Sequence, residues 1–266
     1  MYKRVSILCI ALFFLLIQPF ELYGYGWGFN KKGNHQQPDI GVYQEILDQY
    51  NSYYVDPTGD KDIYLTFDNG YEAGFTEQIL DVLKEKQVPA TFFLTGHYVD
   101  DQPQLVKRMV NEGHIIGNHS NGHKDFTSIS KETFVNDVES LTEKVEALSD
   151  KAVVQYIRPP SGKFDEESLQ WAQELGYTHV FWSLAFVDWN EGTDKGWKHA
   201  YEEVMQQIHP GAIILMHTVS QDNADALAYL IDDLREEGYQ FKSLDDLMLK
   251  QLLPKEMVEW TNVSSS

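Results

Sequence analysis

The stretch IYLTFDNGYEAGFT, residues 63–76, predicts a buried strand that runs into a turn with a chemical function. Residues 63–67 are good strand formers, with apolar side chains alternating with Tyr and Thr. Asp68, Asn69 and Gly70 follow, a composition typical of a turn. A carboxylate at the end of a buried strand costs free energy unless it has a partner or a task. Asp68 is therefore a candidate functional residue.

Strand and helix patterns alternate outward from this stretch. Strands are predicted at residues 62–67, 90–95, 114–119, 155–159, 179–183, 212–217 and 239–243. Helices are predicted at residues 75–86, 102–112, 131–148, 165–175, 197–208, 223–237 and 243–252, with Ser243 capping the last helix and Asp246 at its third position. Apolar strands that alternate with helices indicate an α/β fold with a parallel sheet, and about seven repeats favour a small or incomplete (β/α) barrel over a doubly wound sheet.

The chain divides into four predicted segments. Residues 62–250 form the main domain, and residues 251–266 form a C-terminal tail. Residues 25–61 are rich in Gly, Gln, Asn and Tyr and are predicted to be an extension packed on the domain, with one short helix at 43–50. Residues 1–24 are predicted to be a signal peptide or an N-terminal anchor.

The N-terminal segment indicates where the protein works. Residues 5–17 form an uncharged apolar run, short for a bilayer span and typical of a signal-peptide core. Whether this segment is cleaved or retained as an anchor, it predicts that the rest of the protein lies outside the cytoplasm. Cys9 is the only cysteine and lies in this run, so cleavage would exclude disulfides and cysteine-nucleophile chemistry.

Length and charge restrict the remaining function classes. The 266 residues fit one large α/β domain or two small ones. The formal net charge is -20, from 21 Lys and Arg against 41 Asp and Glu. Such an acidic surface repels nucleic-acid phosphate, which excludes DNA and RNA as partners. The sequence gives no sign of an obligate protein partner.

The sequence HSNGH places His119 and His123 four residues apart after a predicted strand. On a helical turn both imidazoles would point the same way, which suits a divalent metal, with Asp68 or Asn69 as an oxygen donor. Zn, Fe, Co and Ni all accept such ligands, so the pattern does not identify the metal. In the alternative interpretation one histidine caps a turn and the other is solvated.

Three further strand ends carry polar residues. His217 ends the apolar strand AIILMH, where it suits proton transfer or serves as a core histidine with a backbone partner. Arg158 precedes two prolines and can clamp a carboxylate. Asp188 could orient Arg158 or His217 and Trp189 could wall a pocket, or the two form a surface turn and a core tryptophan. Glu72 is interpreted as solvated.

Five motifs, TFDNG, HSNGH, RPP, DW and LMH, resemble in type and order those of the polysaccharide deacetylase family, also called the NodB-homology family or carbohydrate esterase family 4. The resemblance spans residues 60–250 and implies a distorted (β/α)7 barrel with a groove for a glycan chain. It implies hydrolysis of an N-acetyl group. An amide is a poor electrophile with a poor leaving group, so a base, an acid and an oxyanion donor or Lewis acid suit the reaction.

Roles for two proton-transfer residues and for a supporting residue beside each of them follow from the resemblance. Asp68 is expected to be the general base and His217 the general acid. Arg158 is expected to brace Asp68, and Asp188 to tune or orient His217. Substrate binding is expected from three further residues, Trp189, Tyr71 and the backbone N–H near Ser161, which would help to hold the oxyanion.

The resemblance also implies a divalent metal, most simply Zn, held by His119, His123 and Asn69. Most of the family has a second Asp where this chain has Asn69, and that Asp binds the metal. A neutral amide oxygen replaces an anion here, so weak metal binding is expected. The implied partner is a peptidoglycan glycan strand.

The fuller strings of these motifs resemble a branch of the family that acts on spore-cortex peptidoglycan. The first hypothesis is therefore de-N-acetylation of N-acetylmuramic acid, whose product can close to the muramic δ-lactam, at the forespore and cortex. The alternatives are a deacetylase of N-acetylglucosamine in wall glycan or chitin, and a catalytically silent glycan-binding module. A zinc peptidase is disfavoured, because the paired histidines lack the helical Glu between them.

Overall fold

The strand that begins at Asp62 lies at the centre of the fold. A computed structural model describes residues 24–189 and 195–252. In it β2 (Asp62–Asn69) is buried from its second residue onward and pairs in parallel with β3 (Ala90–Leu94) on one side and β8 (Ile213–His217) on the other. A strand flanked on both sides and covered on both faces needs the apolar composition that residues 63–67 have.

The main sheet is parallel throughout and curls into a barrel, while two short strands form a separate pair. The other strands are β1 (Tyr25–Gly26), β4 (Ile115–Asn118), β5 (Tyr156–Ile157), β6 (Lys163–Phe164), β7 (Thr178–His179) and β9 (Gln240–Phe241). The order in the main sheet is β7-β5-β4-β3-β2-β8, and β9 pairs with the start of β2. Leu184, beyond β7, bridges Ile214 of β8 in parallel, which joins the two edges. The predicted distorted (β/α)7 barrel is confirmed.

Helices cover the outside of the sheet, close to the predicted positions. They are α1 (Tyr43–Gln49), α2 (Thr76–Lys86), α3 (Gly96–Asp101), α4 (Pro103–Asn111), α5 (Lys131–Leu148), α6 (Glu166–Glu174), α7 (Trp197–Gln207), α8 (Gln221–Glu236) and α9 (Leu244–Leu252). Ser243 and Asp246 exchange hydrogen bonds as the predicted cap of α9. The sequence missed α3, because six residues starting with Gly show too little periodicity.

The predicted strand at 179–183 is only partly regular. Ladder pairing with β5 ends at His179, and the next residues take partners from elsewhere. Val180 bridges Tyr53, and the N–H of Phe181 donates to the carbonyl of Tyr53 at 2.7 Å. A segment of the N-terminal extension thus occupies the gap between β7 and β8, which no local pattern in residues 179–183 reveals.

The extension packs on the barrel through pairing and aromatic contacts. Strand β1 pairs antiparallel with β6, and Val55 bridges Ala212 at the start of β8. The Trp27 ring lies 4.6 Å from that of Phe181 between ring centroids. Full burial of a large apolar side chain contributes roughly 1.5–3 kcal/mol to the free energy of folding. Aromatic contacts such as that of Trp27 with Phe181 therefore hold the extension on the barrel.

Two predicted segments lie outside the described residues. They are residues 1–23 of the N-terminal segment, with its apolar run at 5–17, and residues 253–266 of the tail. Among residues 24–189 and 195–252, no helix has the length and apolar composition needed to cross a membrane. The four segment boundaries remain predictions.

Candidate active site

Four of the predicted residues meet at the C-terminal edge of the barrel. Asp68 and His217 lie opposite each other in register on the neighbouring strands β2 and β8. His119 directly follows β4, and Arg158 directly follows β5. Because parallel strands all end at the same edge, residues far apart in sequence share one site.

Arg158 holds Asp68 in a fixed orientation. The guanidinium is fully buried, and its Nη1 donates to Oδ1 of Asp68 at 2.7 Å. Its Nε donates to the carbonyl of Val180 at 2.9 Å, its Nη2 donates to Oγ1 of Thr66 at 3.0 Å, and the Phe93 ring lies 4.0 Å away. Burial acts to raise the pKa of Asp68, but nearby positive charge, led by Arg158, lowers it below its ordinary value. Asp68 is therefore a carboxylate at neutral pH.

The two histidines of HSNGH face each other beside this carboxylate. The ring centroids of His119 and His123 are 5.1 Å apart. Nδ1 of His119 lies 2.9 Å from the carbonyl oxygen of Arg158, so it carries the proton and leaves the Nε2 lone pair free, 3.6 Å from Oδ2 of Asp68. Burial lowers the pKa of His119 to about 4 and also lowers the pKa of His123. Both rings are neutral at pH 7, the form that binds metals.

A buried aspartate on α5 fixes the loop that carries these histidines. Asp137 accepts hydrogen bonds from the Ser120 hydroxyl at 2.5 Å, the Asn121 N–H at 2.8 Å and the Gly122 N–H at 3.0 Å. Ser120 and His123 have φ angles of 70° and 51°, a region that non-glycine residues rarely adopt. The carboxylate compensates for this strain by satisfying three donors at once.

His217 is held by a carboxylate and an amide. Its Nδ1 lies 2.7 Å from Oδ1 of Asp188, and its backbone N–H donates to Oδ2 of Asp188 at 2.8 Å. Asn223, in the first turn of α8, donates from Nδ2 to the same Oδ2 at 2.6 Å and to the carbonyl of His217 at 3.0 Å. Burial acts to lower the pKa of His217, but the hydrogen bond and charge of Asp188 outweigh it and raise this pKa above its ordinary value.

Asn69 ties the ends of β2 and β8 together. Its amide nitrogen donates to Oγ1 of Thr218 at 2.7 Å, and its buried Oδ1 has no hydrogen-bond partner among the described residues. Within residues 24–189 and 195–252, no group of three or more His, Cys, Asp and Glu is placed to hold a metal ion. The donor set predicted for a divalent cation, which consists of the two neutral imidazoles and this amide oxygen, carries no negative charge.

A groove of about 900 Å³ opens above these residues. Its floor contains Asp68, His119, His123 and His217, and its walls include the three residues predicted to bind substrate, Tyr71, Ser161 and Trp189. The Trp189 ring is 48% exposed, and its centroid lies 5.4 Å from that of His217. An exposed aromatic face beside a polar floor suits a sugar ring that carries an amide.

Two functional residues escaped the sequence analysis because both lie on helices. Asn223 follows the cap Ser220 by three residues, which makes it look like part of a helix start. Asp137 lies on the apolar stripe of α5 with Phe134, Val138 and Leu141, all buried. A carboxylate on a buried helix face is the signal that could have identified Asp137, because it needs buried donors.

Glu72 is not the solvated residue that the sequence suggested. Its Oε1 accepts the Gly74 N–H at 2.6 Å and its Oε2 accepts the hydroxyls of Thr76 at 2.5 Å and Tyr98 at 3.0 Å. The side chain therefore caps the start of α2 from outside, and its role is structural.

Comparison with known proteins confirms the family resemblance. Residues 55–180 match the family model for polysaccharide deacetylase. The chain is 51% identical over 226 residues to the peptidoglycan-N-acetylmuramic acid deacetylase PdaA of Bacillus subtilis, which covers 85% of this chain and 86% of that protein. It is 34% identical over 205 residues to a peptidoglycan-N-acetylglucosamine deacetylase of Bacillus cereus, with 76% and 73% of the chains covered. The solved structure of Bacillus subtilis PdaA, described as a family 4 carbohydrate esterase, matches with a TM-score of 0.84 at 50% identity, covering 86% of this chain and 98% of that one. The chain belongs to the polysaccharide deacetylase family.

Proposed function

We propose that the protein hydrolyses the N-acetyl group of N-acetylmuramic acid in peptidoglycan. The observation that carries this proposal is the pairing of Asp68 and His217 in register on adjacent strands, each braced by its own partner, on the floor of a groove. The sugar is inferred from similarity, since identity is 51% to the N-acetylmuramic acid deacetylase and 34% to the N-acetylglucosamine deacetylase.

Asp68 acts as the general base in this proposal. Oδ1 is engaged by Arg158, which leaves Oδ2 to accept a proton from the attacking water. The lowered pKa of Asp68 keeps the carboxylate ready over the whole neutral range. As the proton leaves, the water oxygen bonds to the acetyl carbon.

His217 acts as the general acid. Its Nδ1–H is directed at Asp188, so the proton that it delivers is the one on Nε2. Despite burial, the hydrogen bond and charge of Asp188 raise the pKa of His217, which favours the protonated ring that a general acid needs. Transfer of this proton to the sugar nitrogen lets the C–N bond break, which releases acetate and leaves a free amine on the sugar.

The negative charge on the acetyl oxygen needs donors in the transition state. The backbone N–H near Ser161, on the groove wall, is the proposed oxyanion donor. Deacetylases of this family are generally metal-dependent. A divalent cation bound by His119, His123 and Oδ1 of Asn69, most simply Zn, would supply Lewis-acid polarisation of the carbonyl. The neutral donor set supports weak binding of that cation.

The product fits a specific later reaction. A free amine on muramic acid lies on the same sugar as the lactyl group, and condensation of the two gives the muramic δ-lactam. This supports a role in spore-cortex peptidoglycan, outside the cytoplasmic membrane, in keeping with the signal-like run at residues 5–17.

A test of the proposal is mass spectrometry of purified peptidoglycan fragments after incubation with the enzyme. We expect one acetyl group to be lost from muramic acid and none from glucosamine. Loss from glucosamine alone would establish the alternative N-acetylglucosamine deacetylase. Loss from neither sugar, with binding retained, would establish a silent glycan-binding module, which has no need of two braced proton-transfer residues.

A further inference from the structure

Trp27, in the N-terminal extension, contacts two residues of the groove wall. Its backbone N–H donates to the carbonyl of Gly162 at 2.8 Å, and its indole Nε1–H donates to the carbonyl of Trp182 at 3.0 Å. Gly162 and Trp182 both line the groove. Trp27 itself precedes residue 55, where the match to the family model begins.

The contact at Gly162 leaves no space. A Cβ atom added at Gly162 would lie 2.9 Å from Cβ of Trp27 and 3.0 Å from Cη2 of Trp182. Gly162 has a φ angle of 66°, and Ser161 before it has a φ angle of 55°. Gly162 adopts this region freely, but Ser161 is not glycine and keeps such a conformation only when its surroundings enforce it. Trp27, which packs against Gly162, is one of the residues that hold this segment in place.

The groove wall also contacts the buried ion pair of Arg158 and Asp68, the proposed general base. The guanidinium carbon of Arg158 lies 5.5 Å from the ring centroid of Trp182, and Arg158 holds Asp68 at 2.7 Å. A shift of Trp182 would therefore change both the width of the groove and the packing around the buried ion pair. Trp27 is anchored for this role by its ring contact with Phe181, the neighbour of Trp182.

We propose that Trp27 is a positioning residue for deacetylation, which fixes the groove wall of Ser161, Gly162 and Trp182 against which the N-acetyl sugar is held. The extension thus supports the glycan-binding groove from behind its wall. This inference rests on the proposed function. The contacts of Trp27 with the groove wall do not depend on which N-acetyl sugar is bound.

The test compares Trp27→Phe with the intact enzyme. Phenylalanine keeps an aromatic ring and the backbone bond to Gly162 but removes the indole N–H that holds Trp182. We expect KM for the glycan to rise about fivefold, the usual effect of losing one hydrogen bond, with a smaller change in kcat. Partial misfolding would lower the active fraction and so kcat, but would leave KM unchanged. Trp197→Phe is the matched control, because Trp197 stacks on Tyr229 at 4.5 Å and does not line the groove.

Trp27→Ala tests the contribution of the whole ring. It keeps the backbone N–H and the Cβ that meet Gly162 but removes both the indole N–H bound to Trp182 and the contact with Phe181, so KM should rise about tenfold or more. Unchanged KM and kcat in Trp27→Phe would overturn the inference even if Trp27→Ala failed to fold. The comparison is made on muramic-acid fragments and on chitin oligomers. If only the second is deacetylated, the proposed sugar is wrong while the role of Trp27 is still decided.

Discussion

The Asp188 carboxylate binds His217 at two points: Oδ1 lies 2.7 Å from Nδ1 of the ring, and Oδ2 accepts the backbone N–H at 2.8 Å. Asn223 holds the same carboxylate in place with a third hydrogen bond at 2.6 Å. The ring therefore has one orientation and one tautomer, with Nε2 toward the groove. The same contact raises the pKa of His217, so position and acidity are set together.

The first prediction concerns the pH dependence of activity. A general acid must be protonated, so activity is lost as the pH rises through the raised pKa of His217. Asp188→Asn removes the charge that raises this pKa, so the alkaline limb should move to lower pH. The measurement is kcat/KM against pH for both forms. An unmoved alkaline limb would show that another group donates the proton.

The second prediction concerns stability at the same pair. Because the folded pKa of His217 is raised, its contribution to stability is fully present below the unfolded pKa, about 6.5, and is lost as pH rises through the folded pKa. The Tm difference between the intact enzyme and His217→Ala should therefore be larger at pH 5.5 than at pH 9. A difference that does not shrink at high pH would contradict the sign of this pKa shift.

The third prediction concerns the base. Asp68→Asn keeps an oxygen for Arg158 but removes the proton acceptor, so turnover should fall by roughly two orders of magnitude or more. The fold should survive, as judged by circular dichroism and thermal melting. Asp100→Asn is a matched control, because Asp100 is 60% exposed in a surface pair with Lys144. Near-normal turnover in Asp68→Asn would remove Asp68 from this role.

The fourth prediction concerns metal affinity. The proposed donors around Asn69 carry no negative charge, so the native enzyme should bind Zn loosely and lose it to a chelator. Asn69→Asp adds an anionic ligand and should tighten binding at least about tenfold, measured by calorimetry. Activity need not rise, because a second carboxylate beside Asp68 raises the pKa of the base when metal is absent. Stoichiometric metal retained through chelation, or no gain in the variant, would refute this explanation of the amide.

The fifth prediction concerns the loop that carries the histidines. Asp137→Ala removes the acceptor for three donors at residues 120–122, and the strained loop should relax. Metal affinity should fall by about 10- to 100-fold, the usual effect of losing support behind a ligand. Glu139→Gln, an exposed change on the same helix, is the control. Equal Zn titrations for the two variants would assign Asp137 to loop stability alone.

The sequence predicted the site residues that lie at strand ends, but it did not predict those that lie on helices. Asp68, His119, Arg158 and His217 stand out because each interrupts an apolar strand at its end, a local pattern. Asp137 and Asn223 lie on helices whose sequence patterns do not mark them, and only the packing of α5 and α8 brings their side chains to the site. Tyr53, which breaks the strand at 179–183, is equally invisible, because pairing between distant segments leaves no periodicity in either.

The glycan groove depends on the closure of the barrel. Tyr53 pairs with His179 and Phe181, and Leu184 pairs with Ile214, so the closure joins segments more than a hundred residues apart in the first case. Bringing such distant segments together costs loop entropy, which the contacts at the closure must offset. Trp182 and Leu215 line the groove on the two sides of this closure. A chain whose barrel is open at this point therefore lacks a complete glycan groove, and substrate binding reports a closed barrel.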